Sequence, residues 1–93
     1  MFLHRRAVFA FVSPRGSTAW HSIVAPVRHG VTRFTELTEL ETIEMWVTAR
    51  QVIAKLEEML RIKNFQVVIN EGGYANPEQA VMMHIVPVIQ GEK

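Results

Sequence analysis

One stretch of this chain limits its folds more than any other. From Thr38 onward, apolar residues recur at three- and four-residue steps: Ile43, Trp46, Val47, Ile53, Leu56 and Leu60. That spacing predicts one amphipathic helix of about 22 residues, with Trp46 and the rest of the stripe in the core. Thr38-Glu39-Leu40-Glu41 has the spacing of a capping box, in which the Thr side chain accepts an N–H and the Glu reaches back. Glu39, Glu41 and Glu44 suit the positive end of the helix dipole, and Arg61 and Lys63 suit the negative end. Arg50, Lys55, Glu57 and Glu58 read as a solvated face. Before and after this helix the pattern shortens to strands. Residues 7–12 are a short apolar run closed by Ser13-Pro14-Arg15-Gly16-Ser17, and residues 21–26 are a second strand with Pro26 at its end. Residues 65–69 are a third strand, entering a loop through Asn70-Glu71-Gly72-Gly73. The run from Ala80 to Ile89 is a fourth, with Ala80, Met82, His84 and Val86 on one face and Val81, Met83 and Ile85 on the other. Strand, strand, long helix, strand, strand within 93 residues means a single α+β domain, an antiparallel sheet packed on one helix.

Composition removes several functions. No cysteine is present, which excludes a disulfide scaffold, thiolate metal sites and a Cys nucleophile. The apolar runs fall far short of the ~20 residues of a membrane span. The net charge of +1 is the sum of two opposed segments. Residues 1–35 carry Arg5, Arg6, Arg15, Arg28 and Arg33 with no acid, whereas residues 36–93 carry five bases and nine Glu. An acid-free, arginine-bearing N-terminus has the composition of a mitochondrial targeting peptide. The strand pattern over the same residues favours the basic first half of a folded domain. An RNA-binding role for those arginines is the weaker reading, because they interleave with strand residues and no aromatic-plus-basic stacking platform is visible.

The order of elements and the segment His84-Ile85-Val86-Pro87 together resemble the histidine triad (HIT) family, and most of all its fragile-histidine-triad branch. Phe9-Ala10-Phe11-Val12, a loop, and His21-Ser22-Ile23-Val24-Ala25-Pro26-Val27-Arg28-His29 are similar to that family's first hairpin, with Trp20 where the family's Pro-Gly-His has Gly. Arg33-Phe34-Thr35-Glu36-Leu37 is similar to its Arg-Phe-x-Asp-Leu stretch, and residues 65–72 to its third strand and the start of its phosphate loop. The resemblance spans nearly the whole chain and implies a HIT-like domain over residues 1–93, shortened at its N-terminus relative to the family. It also implies symmetric pairing of two chains through the long helix and the neighbouring strand.

The family's motif is His-φ-His-φ-His-φ-φ-Pro, where φ is apolar. With Pro87 on the motif proline, His84 takes the third histidine, Met82 the second and Ala80 the first. In family members the middle histidine attacks the α-phosphorus. A thioether has no proton-transfer capacity and no useful nucleophilicity toward phosphorus, so Met82 cannot take that part. The family's Gly-Gln-Ser/Thr-Val falls on Ala75-Asn76-Pro77-Glu78, where Pro77 has no N–H and Glu78 carries the charge of the ligand; the ribose-side Asn falls on Ser13. Sliding Gln79 onto the loop Gln turns the histidine positions into Met83, Ile85 and Pro87 and reverses the strand's face, so that alignment is rejected.

These losses point to a non-catalytic HIT-like protein, a structural or assembly subunit with vestigial positions Ala80, Met82 and His84. The alternative is a nucleotide-binding protein or slow phosphohydrolase in which His84, His21, Asn70, Gly72 and Gly73 meet phosphate. Glycines at 72 and 73 serve equally a turn at positive φ. No cofactor is expected. No metal is expected either, because His21 and His84 together lack an obvious third ligand. His4 and His29 read as surface residues, Met82 and Met83 as packing residues, and Trp20 as an exposed anchor for a protein partner.

Overall fold

A computed structural model describes residues 2–12, 21–72 and 80–88. Its elements are strands β1 (Phe2–His4), β2 (Val8–Val12) and β3 (Ser22–Pro26), helix α1 (Glu39–Leu60), and strands β4 (Asn64–Asn70) and β5 (Met82–Val88). A short 3₁₀ turn at Phe34–Glu36 precedes the helix. The strands form one antiparallel sheet in the order β1-β2-β3-β5-β4. The α+β prediction holds, with one strand more than the pattern suggested. β1 is only three residues long and pairs Phe2 with Phe11, Leu3 with Ala10 and His4 with Phe9. Three residues hold too little periodicity to be seen in sequence.

The arginine-bearing first half is part of this sheet. Arg5 Nη2 donates to Gln51 Oε1 (2.7 Å), and the Ala7 N–H donates to Glu44 Oε1 (2.7 Å), so the β1–β2 turn is tied to the helix. No helix among the described residues is long and apolar enough to cross a membrane.

α1 starts as predicted. The Glu41 N–H donates to Thr38 Oγ1 (3.1 Å) and the Thr38 N–H to Glu41 Oε1 (2.7 Å). Glu41 is also buried, and Arg28 from the segment after β3 donates to both its oxygens (2.9 and 3.0 Å). The Arg28 hydrogen bond, opposed by burial, holds the Glu41 carboxyl below its ordinary range. The other end differs from expectation. Arg61 is the C-cap in the left-handed region (φ 59°), so the last turn of the helix carries no basic residue and Lys63 lies beyond it.

The buried stripe is also displaced. Met45, Thr48, Ala49, Val52 and Leu56 form it, and they pack on Val8, Ala10, Val24, Met83 and Ile85 of the sheet. Ile53 and Leu60 lie at its margin, but Ile43, Trp46 and Val47 are exposed, Trp46 to 47%. The helix is apolar on two sides, and the sheet can cover only one of them. The side it covers carries the slimmer residues, Ala49 and Thr48, which let backbone and sheet approach closely.

Candidate functional site

The sheet is covered by α1 on one face. Since Val8, Ala10, Val24, Met83 and Ile85 point to the helix, the alternate residues Phe9, Phe11, Ile23, Met82 and His84 point to the opposite face, which the described residues leave open. Register extends the row across the sheet: Phe11 pairs with Ile23, Ile23 with His84, His84 with Val68, and Met82 with Asn70. The predicted division of β5 into Met82/His84 and Met83/Ile85 faces therefore holds, although Ala80 and Val81 precede the strand.

Two histidines separated by 63 residues in sequence meet on this face. His21 Nε2 and His84 Nδ1 are 2.8 Å apart in a hydrogen bond, with ring centroids at 5.0 Å. A single hydrogen lies between the two nitrogens, so one ring donates and the other accepts. His84 Nε2 is buried with no hydrogen-bond partner among the described residues. Burial, and then the proximity of His21, push the His84 imidazole below its ordinary range. Its uncharged form therefore dominates at neutral pH.

A stacked pair, Phe9 and Phe11, flanks the histidines. Their ring centroids are 5.9 Å apart and their planes within 13°. Sequence reasoning missed them as site residues because residues 7–12 read as uniformly buried. The signal was present in the alternation of small Val8 and Ala10 with large Phe9 and Phe11, both rings half-buried. No acidic residue occupies a strand position of the open face among the described residues. The face is thus largely apolar and aromatic, with the imidazoles of His4, His21 and His84, the carboxamides of Asn64, Gln66 and Asn70, and the thioether of Met82 as its chemistry.

The remaining predicted residues are distributed differently. Asn70 ends β4 on the open face beside Met82. The Gly72 N–H already donates to the Thr32 carbonyl (3.0 Å), so it is not available to a phosphate, and Gly30 is the glycine at positive φ (83°) among the described residues. Gly73, Ser13, Trp20 and the Ala75–Glu78 stretch lie outside the described residues. The Val81 N–H donates to the Val31 carbonyl (2.8 Å), next to the Gly72–Thr32 bond, so Gly72 and Val81 are both anchored to the Val31–Thr32 segment. His29 is exposed, and His4 is exposed on the β1 edge.

This architecture has known counterparts. The family model for the HIT domain matches residues 1–90. The chain belongs to the HIT family. It is 36% identical over 80 residues to the bifunctional bis(5'-adenosyl)-triphosphatase/adenylylsulfatase FHIT of Arabidopsis thaliana, covering 85% of this chain and 44% of that protein. It is 32% identical over 87 residues to the nitrilase and fragile histidine triad fusion protein NitFhit of Caenorhabditis elegans, covering 90% of this chain and 19% of that one. This HIT chain spans less than half the length of both curated relatives. The crystal structure of the C. elegans NitFhit protein superposes with a TM-score of 0.84 at 30% identity, over 97% of this chain and 22% of that one. A Plasmodium falciparum diadenosine triphosphate hydrolase, solved in complex with cyclomarin A, shares the fold alone: TM-score 0.85 at 14% identity, over 96% and 60% of the chains. The relatives named as enzymes act on nucleotides, and none of these likenesses supports the expected role as a structural or assembly subunit.

Proposed function

We propose that this HIT domain binds nucleoside phosphates on its open sheet face and does not turn them over by a nucleotidyl-histidine route. One observation carries the reading: the strand position next to His84 on that face, where an attacking imidazole would stand, is Met82. Binding needs an apolar platform with a few convergent polar groups, and Phe9, Phe11, Ile23, His21, His84 and Asn70 are of that kind. Covalent transfer needs more. It needs a nucleophile that attacks phosphorus and leaves again, and the thioether of Met82 has neither the basicity nor the proton to do so. The names of the curated relatives, which include a bis(5'-adenosyl)-triphosphatase, favour an adenine nucleotide as the ligand.

The test pairs two measurements. Titration calorimetry with AMP gives saturable heat with a submillimolar Kd, and diadenosine triphosphate incubated with the domain yields no AMP above the buffer blank. Turnover that disappears in His84→Ala would overturn the non-catalytic part. Absence of heat up to millimolar AMP would overturn the binding part and return the structural-subunit reading.

The second element of the reading concerns partners. Leu40, Ile43, Trp46 and Val47 on α1 and Val67 on β4 are exposed apolar residues, and among the described residues β4 is an edge strand with one unpaired side. An uncovered strand edge beside an apolar helix flank suits an isologous contact with a second copy, in which β4 pairs with β4 and the helices meet.

A further inference from the structure

We infer that His21, His84 and Met82 form a site for monovalent copper, a use of the open face that does not depend on the nucleotide reading. The described residues contain no group of three His, Cys, Asp or Glu suited to a metal ion. A thioether changes the donor set. Met82 lies two residues before His84 on β5, on the same face, so the two Cα atoms are about 6.6 Å apart. Methionine is long, unbranched and flexible enough to bring its sulfur toward the imidazoles.

The two ring nitrogens are already at chelating distance. Metal–nitrogen bonds of about 2.0 Å put two imidazole nitrogens on one ion roughly 2.8 to 3.5 Å apart as the angle opens from 90° to 120°. His21 Nε2 and His84 Nδ1 stand 2.8 Å apart, so the rings have to turn but not to travel. The hydrogen now shared between these nitrogens moves to the other nitrogen of its own ring, leaving two neutral ligands and releasing no net proton. The choice of ion follows from the donors. A thioether with two imidazoles and no carboxylate on the strand positions of the face is a soft, uncharged set, which suits Cu(I) and fails Mg²⁺, Ca²⁺ and Mn²⁺. The surrounding Phe11, Ile23 and Val68 supply an apolar wall that disfavours the more strongly hydrated Cu(II).

The experiment is an anaerobic competition titration of the whole chain against bicinchoninate with Cu(I), with X-ray absorption of the loaded protein. One equivalent per chain is expected, with both nitrogen and sulfur in the coordination shell. Loss of an outer-shell partner already costs roughly 10–100-fold in metal affinity, so His84→Gln should lose at least that much. Met82→Leu, which conserves volume and preserves the fold, should weaken binding about 10-fold and remove sulfur from the spectrum. A His4→Gln/His29→Gln variant should bind as the wild type does. The proposal fails if no copper is held against the competitor, if Met82→Leu keeps both affinity and the sulfur signal, or if His4 and His29 carry the binding. Each of these leaves calorimetry with metal-free protein and AMP untouched, so the two readings are tested separately.

Discussion

Replacing Glu41 with alanine tests whether the start of α1 and the segment after β3 form one unit. The Glu41 carboxylate accepts from the Thr38 N–H at 2.7 Å and from Arg28 at 2.9 and 3.0 Å, and the residue is 4% exposed. Loss of the capping contact costs about 0.5–2 kcal/mol. The ion pair adds less than a buried pair would, because the Arg28 side chain is 50% exposed and is rehydrated when its partner leaves. For such a pair about 0–1 kcal/mol is appropriate. The sum is roughly 0.5–3 kcal/mol, or a fall in Tm of about 4–8 °C for each kcal/mol. Glu39→Ala is the control: that residue is exposed in the same turn and loses only dipole stabilisation of about 0.3–1 kcal/mol. Urea unfolding followed by circular dichroism measures both. The pH dependence follows from the depressed Glu41 value. In the unfolded chain the carboxyl binds its proton at higher pH than in the fold, so its contribution is complete above the ordinary value of 4.5 and is lost as pH falls through the folded value. The gap between wild type and Glu41→Ala is therefore steady near pH 7 and narrows below about pH 4.5. A gap under about 0.5 kcal/mol, equality with Glu39→Ala, or no narrowing in acid would refute the reasoning.

Phe11→Ala should weaken AMP binding by the equivalent of about 1–3 kcal/mol if a base stacks on the Phe9–Phe11 pair, with calorimetry as the readout and thermal unfolding as the control for folding. Trp46→Glu should abolish self-association in sedimentation velocity while leaving Tm within a few degrees, because the ring lies outside the core; an unchanged sedimentation coefficient would remove the helix flank from the interface. Ile85→Ala, fully buried at the centre of the sheet, should cost about 2–5 kcal/mol in urea unfolding, whereas Val68→Ala on the open face should cost well under half of that.

Much of the fold is written locally. The capping hydrogen bonds of α1 join residues three apart, and the alternation of β5 assigns Met82 and His84 to one face whatever lies around them. The candidate site was legible in part for the same reason. Met82 and His84 stand on the face that strand periodicity gave them, whereas Asn70, read as the start of a loop, ends β4, and His21, read as the start of a strand, precedes β3 and touches His84. Phe9 and Phe11 were not legible, since an apolar run does not announce which of its faces is covered. The engagement of the Gly72 N–H was not legible because its acceptor, Thr32, is 40 residues away in sequence.

The amino-acid sequence by itself determined the α+β class, the start and length of the helix, the absence of thiol chemistry, and a methionine beside His84 on its strand face. Only the tertiary structure decided which apolar side of α1 is buried, that β3 lies between β2 and β5, and that His21 reaches His84. The division has a physical cause. Caps and strand alternation depend on covalent geometry over a few residues, whereas burial depends on what a distant segment leaves uncovered. A helix apolar on two sides needs a sheet to choose between them, and two imidazoles need neighbouring strands before they can share a hydrogen.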